Sequence, residues 1–219
     1  MRKKKYADYA ELQASELEGR DYEIRVLPGK NNSLAALAPH GGAIEAGTSE
    51  LVEELHCSYY FSGYDFRAKK RTDNRTLHLR STHFDEPRAL CFAAEALFTV
   101  TLHGYRDQEE KTYIGGLDTF TAGFIGAELT AAGFKVDFEP PSAIKGKYSG
   151  NICNKNGRTQ GVQLEISSAQ RRAFFVNNDF RSANRGNRLP AFYAYAEAIG
   201  KAMMQAQNAI RAREVQVSK

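Results

Sequence analysis

Ser33-Leu34-Ala35-Ala36-Leu37-Ala38-Pro39-His40-Gly41-Gly42 decides the fold class. From Ser33 to Ala38 the residues are small or apolar with no charged break, too short a run for a helix and suited to a strand covered on both faces. Pro39 to Gly42 ends it. Phe98-Thr99-Val100-Thr101-Leu102 repeats the pattern and closes on His103-Gly104, and Gly161-Val162-Gln163-Leu164-Glu165-Ile166 gives a third such strand. Between them the period turns helical. After Gly42 the spacing predicts a surface helix from Ala43 to about His56, with Ile44, Val52 and Leu55 inward and Glu50, Glu53 and Glu54 outward.

Further elements follow from the same signals. Tyr22 to Leu27 alternates as a half-buried strand before the turn cluster Pro28 to Asn32, and short strands are expected at 59–61, 76–79, 112–114 and 135–138. Asp85 as N-cap and Pro87 in the first turn open a helix whose stripe is Leu90, Ala93, Ala94 and Leu97. A helix over 119–132 stops at Gly133, the segment 145–157 is loop by composition, and Phe192, Ala196, Ile199, Met203, Ala206 and Ile210 mark a long last helix. Strands alternating with helices predict an α/β layer architecture on a largely central sheet.

The 219 residues are read as one domain, 1–219, with 1–20 a peripheral extension. A chain of this length buries about 70% of the surface its unfolded form exposes, so it needs no disulfide staples. Cys57, Cys91 and Cys153 are odd in number, widely spaced and free of any CxxC pattern, so buried free thiols are expected. Met1-Arg2-Lys3-Lys4-Lys5 has the basic start of a signal peptide, but charge in Tyr6 to Glu11 interrupts any apolar segment. No stretch reaches the roughly 20 apolar residues of a membrane span. A soluble, cytoplasmic protein with no membrane partner is expected. Thirty Lys plus Arg against 26 Asp plus Glu give a charge of +4, which permits a polyanionic partner without requiring one.

Two of the five histidines, His40 and His103, directly follow the best buried strands, and each precedes a glycine. In open α/β sheets ligands bind beyond the carboxyl ends of the strands, so parallel strands could bring both imidazoles to one crevice. The glycines let the chain turn sharply there and leave room for a metal or substrate. Glu45, in the expected first helical turn, completes a His2Glu set. Three protein ligands with one open position are the pattern of catalytic zinc. The alternative is a hydrogen-bonded structural role for each histidine, and it is retained for His56 at a helix end and His78 in a strand; His83 follows a strand end and could line the cleft. Glu165 is the candidate base. An ionised carboxylate near the end of an apolar strand is costly unless paired or employed; its other reading is an ion pair with Arg171 or Arg172.

These blocks resemble the phage and Bacillus poly-γ-glutamate hydrolases, relatives of the zinc carboxypeptidases. The resemblance rests on Pro39-His40-Gly41-Gly42-Ala43-Ile44-Glu45-Ala46-Gly47-Thr48-Ser49-Glu50, on Leu77 to Pro87, on Thr101-Leu102-His103-Gly104 and on Gly161 to Ser167, in the family's order. It implies a zinc carboxypeptidase-like fold with a mixed central β-sheet flanked by helices, one Zn2+ per chain held by His40, Glu45 and His103, and Glu165 as general base. It also implies a substrate that keeps one free α-carboxylate per unit. Arg80, His83, Arg171, Asn151, Asn154 and Lys155 are the expected substrate residues. Where related enzymes carry an Asn-Arg pair this chain has Asn154-Lys155, and lysine lacks arginine's bidentate reach.

Two rival readings remain at this level. A zinc peptidase on cell-wall peptides would cut the same γ-glutamyl bond. A nucleic-acid binder is suggested by the basic run Arg67 to Arg75 beside Tyr64 and Phe66, without any supporting fold motif. The expected partner is the polymer and not nucleic acid, the expected state a monomer, and the expected location the cytoplasm, with release by lysis if the gene is a phage's.

Overall fold

The computed structural model describes residues 6–217; the basic Met1–Lys5 segment lies outside them. Seven strands form one sheet: β1 (Tyr22–Leu27), β2 (Asn31–Gly42), β3 (Phe61–Ala68), β4 (Phe98–Tyr105), β5 (Thr112–Gly116), β6 (Val136–Asp137) and β7 (Val162–Ser167), in the order β1-β3-β2-β4-β7-β5-β6. β3, β2, β4 and β7 run parallel, β1 is an antiparallel edge, and β5 pairs antiparallel with β7 and parallel with β6. The expected mixed central sheet is therefore present.

β2 shows why the sheet is central. Leu34, Ala36 and Ala38 enter one apolar cluster while Ala35 and Leu37 enter the other, so a strand without polar alternation is covered on both faces. The first cluster receives α2 (Thr48–Tyr59), α4 (Thr119–Ala131) and α6 (Pro190–Val217), through Leu51, Val52 and Leu55, Ile125 and Leu129, and Phe192, Tyr195, Ile199 and Met203. The second receives α1 (Tyr9–Ser15) and α3 (Pro87–Glu95), through Leu12, Ala89, Phe92 and Ala93. Within the N-terminal segment, α1 buries Tyr9 and Leu12 against this face.

Several local expectations are corrected. α2 begins at Thr48, so Glu45 sits in the turn before it, and Glu50 turns inward to Arg185 at 3.4 Å instead of facing solvent. Tyr59 ends α2, and the strand expected at 59–61 is β3, starting at Phe61 after Tyr60 in the left-handed region. Residues 76–79 are no strand: a 3-10 turn spans Asn74–Leu77 and an extended segment follows. The α3 N-cap is Glu86, which accepts from the Ala89 amide, while Asp85 accepts from the Tyr9 amide. The apolar stripe of α3 falls on Ala89, Phe92 and Ala93, one residue off the expected one, and Leu97 is exposed. Tyr64 and Phe66 are core residues of β3, unavailable for stacking on bases.

β2 turns from β3 on one side to β4 on the other, which places a topological switch point at the carboxyl ends of β2 and β4. At that end the β2–β3 register shifts, with Ala38 opposite Asp65 but Gly41 opposite Arg67. The extra residue makes a bulge at Pro39-His40. Proline has no amide to give the ladder, and a bulge re-aims the neighbouring side chain, here His40.

Of the three thiols only Cys153 is buried; Cys57 and Cys91 are exposed, against expectation, because each lies on the solvent side of a short helix. Burial pushes the Cys153 thiol up to about 12. A disulfide reagent at pH 8 should therefore react quickly with two thiols of the native protein and with the third only after denaturation. Three fast thiols would contradict this packing.

Candidate active site

His40 at the bulge of β2, His103 near the end of β4 and Glu45 in the β2–α2 turn meet at one point. His40 Nδ1 lies 3.1 Å from His103 Nδ1 and 3.1 Å from Glu45 Oε1, and His103 Nδ1 lies 3.3 Å from Glu45 Oε2. Two donors each about 2.0–2.1 Å from a tetrahedral ion sit roughly 3.3–3.4 Å apart, so the three groups have the spacing of a metal's ligands. The second ring nitrogens are fixed elsewhere. His40 Nε2 donates to the Leu79 carbonyl, which can only accept, so in the neutral ring Nδ1 is a lone pair; His103 Nε2 faces Ser81 Oγ at 3.4 Å. The Leu79 carbonyl thereby sets for His40 the tautomer that a metal requires. The Gly104 amide donates to Glu45 Oε2 at 3.0 Å and holds the carboxylate in place.

His78, read as a strand residue, also reaches this point. Its Nε2 is 3.6 Å from Glu45 Oε1, and His40, Glu45 and His78 form a set close enough to hold an ion. Its ring, however, stacks on that of His40 with centroids 3.8 Å apart and planes 22° from parallel. Imidazole lone pairs lie in the ring plane, and two nearly parallel planes at that distance do not converge on one ion. His40, Glu45 and His103 are the better-directed set, with His78 supporting Glu45. No periodicity in the sequence signalled His78, because the segment that carries it is neither helix nor strand.

Glu165 lies directly across from His103 in the β4–β7 register. Its Oε1 accepts from Gln163 Nε2 at 2.9 Å, and Gln163 Oε1 in turn accepts from Asn151 Nδ2 at 2.9 Å. Among the described residues no donor is bonded to Oε2, which leaves that oxygen for the cavity. The cavity, of about 760 Å³, is lined by His40, Glu45, His78, His103 and Glu165, with Arg80, Lys145, Lys147 and Tyr148 around its mouth. Such a volume admits a segment of a small chain molecule.

The two carboxyls are driven apart. Burial opposes charge on Glu45, but His40 beside it and hydrogen bonds from His103, His40 and His78 hold its carboxyl well below the usual range. Burial, and then the negative charge of Glu45, lifts Glu165 well above that range; the Gln163 hydrogen bond and the Arg171 charge only partly oppose this. Separated carboxyl pairs of this kind divide the roles of ligand and proton carrier.

The other expected site residues behave differently. Arg80 and Asn151 line the cavity, Arg80 from an exposed segment that is not a strand end. Asn151 spends its amide on Gln163 and on the Cys153 amide. Asn154 is bonded to the amides of Leu117 and Gly161 and the carbonyls of Gly146 and Tyr148, so it folds its loop and has nothing left for a substrate. Lys155 and His83 are exposed and line no part of the cavity. Arg171 forms no ion pair with Glu165. It is buried in α5 (Ser168–Ala173) and donates from Nε to Ile166 O at 3.1 Å, from Nη1 to Ala46 O at 2.8 Å and from Nη2 to Tyr105 O at 3.4 Å. A Cβ on Gly104 would strike this guanidinium, so the glycine after His103 is there for close approach.

A parallel-centred α/β sheet that gathers a His2Glu cluster and a second, protonation-prone carboxyl at its switch point defines a hydrolase of the metal-site type. The chain belongs to the poly-gamma-glutamate hydrolase family, whose model matches residues 6–198. The SPbeta prophage-derived UPF0714 protein YoqZ of Bacillus subtilis (strain 168) is 39% identical over 199 residues, 90% of this chain and 70% of that protein. Among solved structures, a bacteriophage poly-gamma-glutamate hydrolase superposes with a TM-score of 0.90 at 38% identity, covering 93% of this chain and 98% of that one. A structure of YndL described as apo and zinc-free superposes with a TM-score of 0.84 at 31% identity, covering 91% and 96%.

The Arg171 contacts predict a holding role. Lysine's three donors share one nitrogen and cannot span the carbonyls that Nε, Nη1 and Nη2 reach separately, so Arg171→Lys should cost roughly 2 kcal/mol or more of stability and lower turnover with it. Paired melting curves and rates check this. An unchanged melting temperature with a raised KM alone would return Arg171 to substrate binding.

Proposed function

We propose that this protein hydrolyses the γ-glutamyl amide bonds of poly-γ-glutamate with one zinc ion held by His40, Glu45 and His103. The observation that carries the reading is the convergence of two Nδ1 atoms and a carboxylate of lowered pKa at 3.1–3.3 Å, opposite a second carboxyl of raised pKa. Nitrogen and carboxylate donors with one open position suit zinc. When bound, the ion would supply Lewis acidity toward the amide carbonyl and toward water.

The protein's own residues supply the remainder. Glu165 Oε2, facing the cavity, takes a proton from the attacking water and returns it to the departing nitrogen, so the C–N bond breaks with the amine as leaving group. Gln163 keeps the carboxyl aimed by holding Oε1, and Asn151 keeps Gln163. Raising this carboxyl's pKa above the usual range makes its ionised form a stronger base toward water. Arg80, Lys145 and Lys147 at the mouth match a chain that carries a free carboxylate on every unit.

Incubation with poly-γ-glutamate and, in parallel, with peptidoglycan, followed by sizing of the products, tests the substrate. Shortened polymer with intact peptidoglycan is expected; the reverse would move the activity to wall peptides. His40→Ala or His103→Ala should each strip the zinc, because two remaining ligands compete poorly with water, while His78→Ala should retain it. Elemental analysis of the three variants decides. Glu165→Gln keeps the volume and removes the base: zinc and fold should persist while turnover falls by at least about a hundred-fold. A zinc-loaded variant with wild-type turnover would take Glu165 out of the mechanism.

A further inference from the structure

Beyond Gly104 and Tyr105, which it shares with the large cavity, lies a second cavity of about 360 Å³. Arg75, Arg106, Arg171 and Arg172 line it, and no Asp or Glu does. They come from three separate places in the chain: the segment after β3, the end of β4, and α5. Among the described residues none of the four forms an ion pair with a carboxylate. Arg171 is committed to backbone carbonyls, as described above. The other three side chains are exposed; Arg172 gives one long bond, 3.4 Å, to the Asn178 carbonyl and lies 4.2 Å from the Phe180 ring centre, over which Arg171 also sits at 5.5 Å.

Four guanidiniums around one small cavity repel one another, and most of the protein's other arginines avoid that situation. Arg20, Arg25, Arg67, Arg88, Arg158, Arg181, Arg185 and Arg188 each sit within 4.0 Å of a carboxylate oxygen. An unneutralised convergence of forked donors is the arrangement that binds a carboxylate bidentately. Gln108 and Ser168, also on the wall, add neutral donors. Gly104 and Tyr105 line both cavities, so this one adjoins the cavity that holds His103 and Glu165 and lies within reach of a chain bound across the reactive centre.

We infer that this second cavity is a carboxylate subsite, in which Arg75, Arg106 and Arg172 receive the free α-carboxylate of a glutamyl unit beside the bond being cut. The inference rests on poly-γ-glutamate being the substrate. Arg75 belongs to the basic run 67–75, so this gives one member of that run a function in the cleft.

The test compares the wild type with a triple Arg→Gln variant and a triple Arg→Lys variant at positions 75, 106 and 172, all assayed on poly-γ-glutamate at low and high salt. The three side chains are exposed, and melting curves check that each variant folds; if the triple variant does not, Arg106→Gln alone is used. At low salt the glutamine variant should raise KM about tenfold or more while kcat changes far less, the lysine variant falling between, and the gap should narrow as salt screens the charges. On polymer whose α-carboxylates are methyl-esterified, wild type and glutamine variant should have equal KM. A folded glutamine variant with wild-type KM at low salt would overturn the subsite while leaving the polymer reading intact. A wild type that fails to shorten the polymer at all would overturn the polymer reading, and the subsite with it.

Discussion

A single buried guanidinium ties the reactive groups together. Arg171 donates to carbonyls of Ala46, next to Glu45, of Tyr105, two residues after His103, and of Ile166, next to Glu165. Three segments far apart in the chain thereby share one rigid node. Burial disfavours the charged form of this guanidinium, and three carbonyl dipoles and the nearby negative charge of Glu45 offset part of that cost. The node also explains the glycine after His103, because any side chain there would displace the guanidinium.

The same geometry divides labour between two acids. Glu45 is surrounded by imidazoles and a backbone amide, so it stays an anion; Glu165 has an amide partner on one oxygen, an anion nearby and little water, so it favours its proton. Neither residue's type alone dictates its role. Environment does, through desolvation and neighbouring charge acting in opposite net directions on chemically equivalent groups.

The parts of this arrangement that were legible in sequence were those with a period. β2, β4, β7, α4 and α6 announce themselves through unbroken apolar runs or three-and-four spacing, and the His-Gly endings follow directly from where those runs stop. What escaped were contacts made by segments without a period. His78 rides on an extended stretch between 3-10 turns, and its apolar neighbours Leu77 and Leu79 imitate a strand because both are buried. β2 runs on to Gly42 and a turn follows it, so Glu45 lies ahead of the helix that opens only at Thr48. Asn154, Asn151 and Arg171 carry the residue types that grip carboxylates, yet each is consumed by backbone or by Gln163. Polar side chains do not reveal from sequence whether their partner is a ligand or the protein's own loop.

The central claim is that two Nδ1 atoms and Glu45 converge on one ion while His78 stands beside them. Crystals of the zinc-loaded protein measured at the zinc absorption edge address it directly. The account predicts one anomalous peak about 2.0–2.1 Å from the Nδ1 atoms of His40 and His103 and in contact with the Glu45 carboxylate, with His78 outside bonding distance. A peak bonded to His78 with His103 turned away, or a peak elsewhere in the molecule, would contradict it.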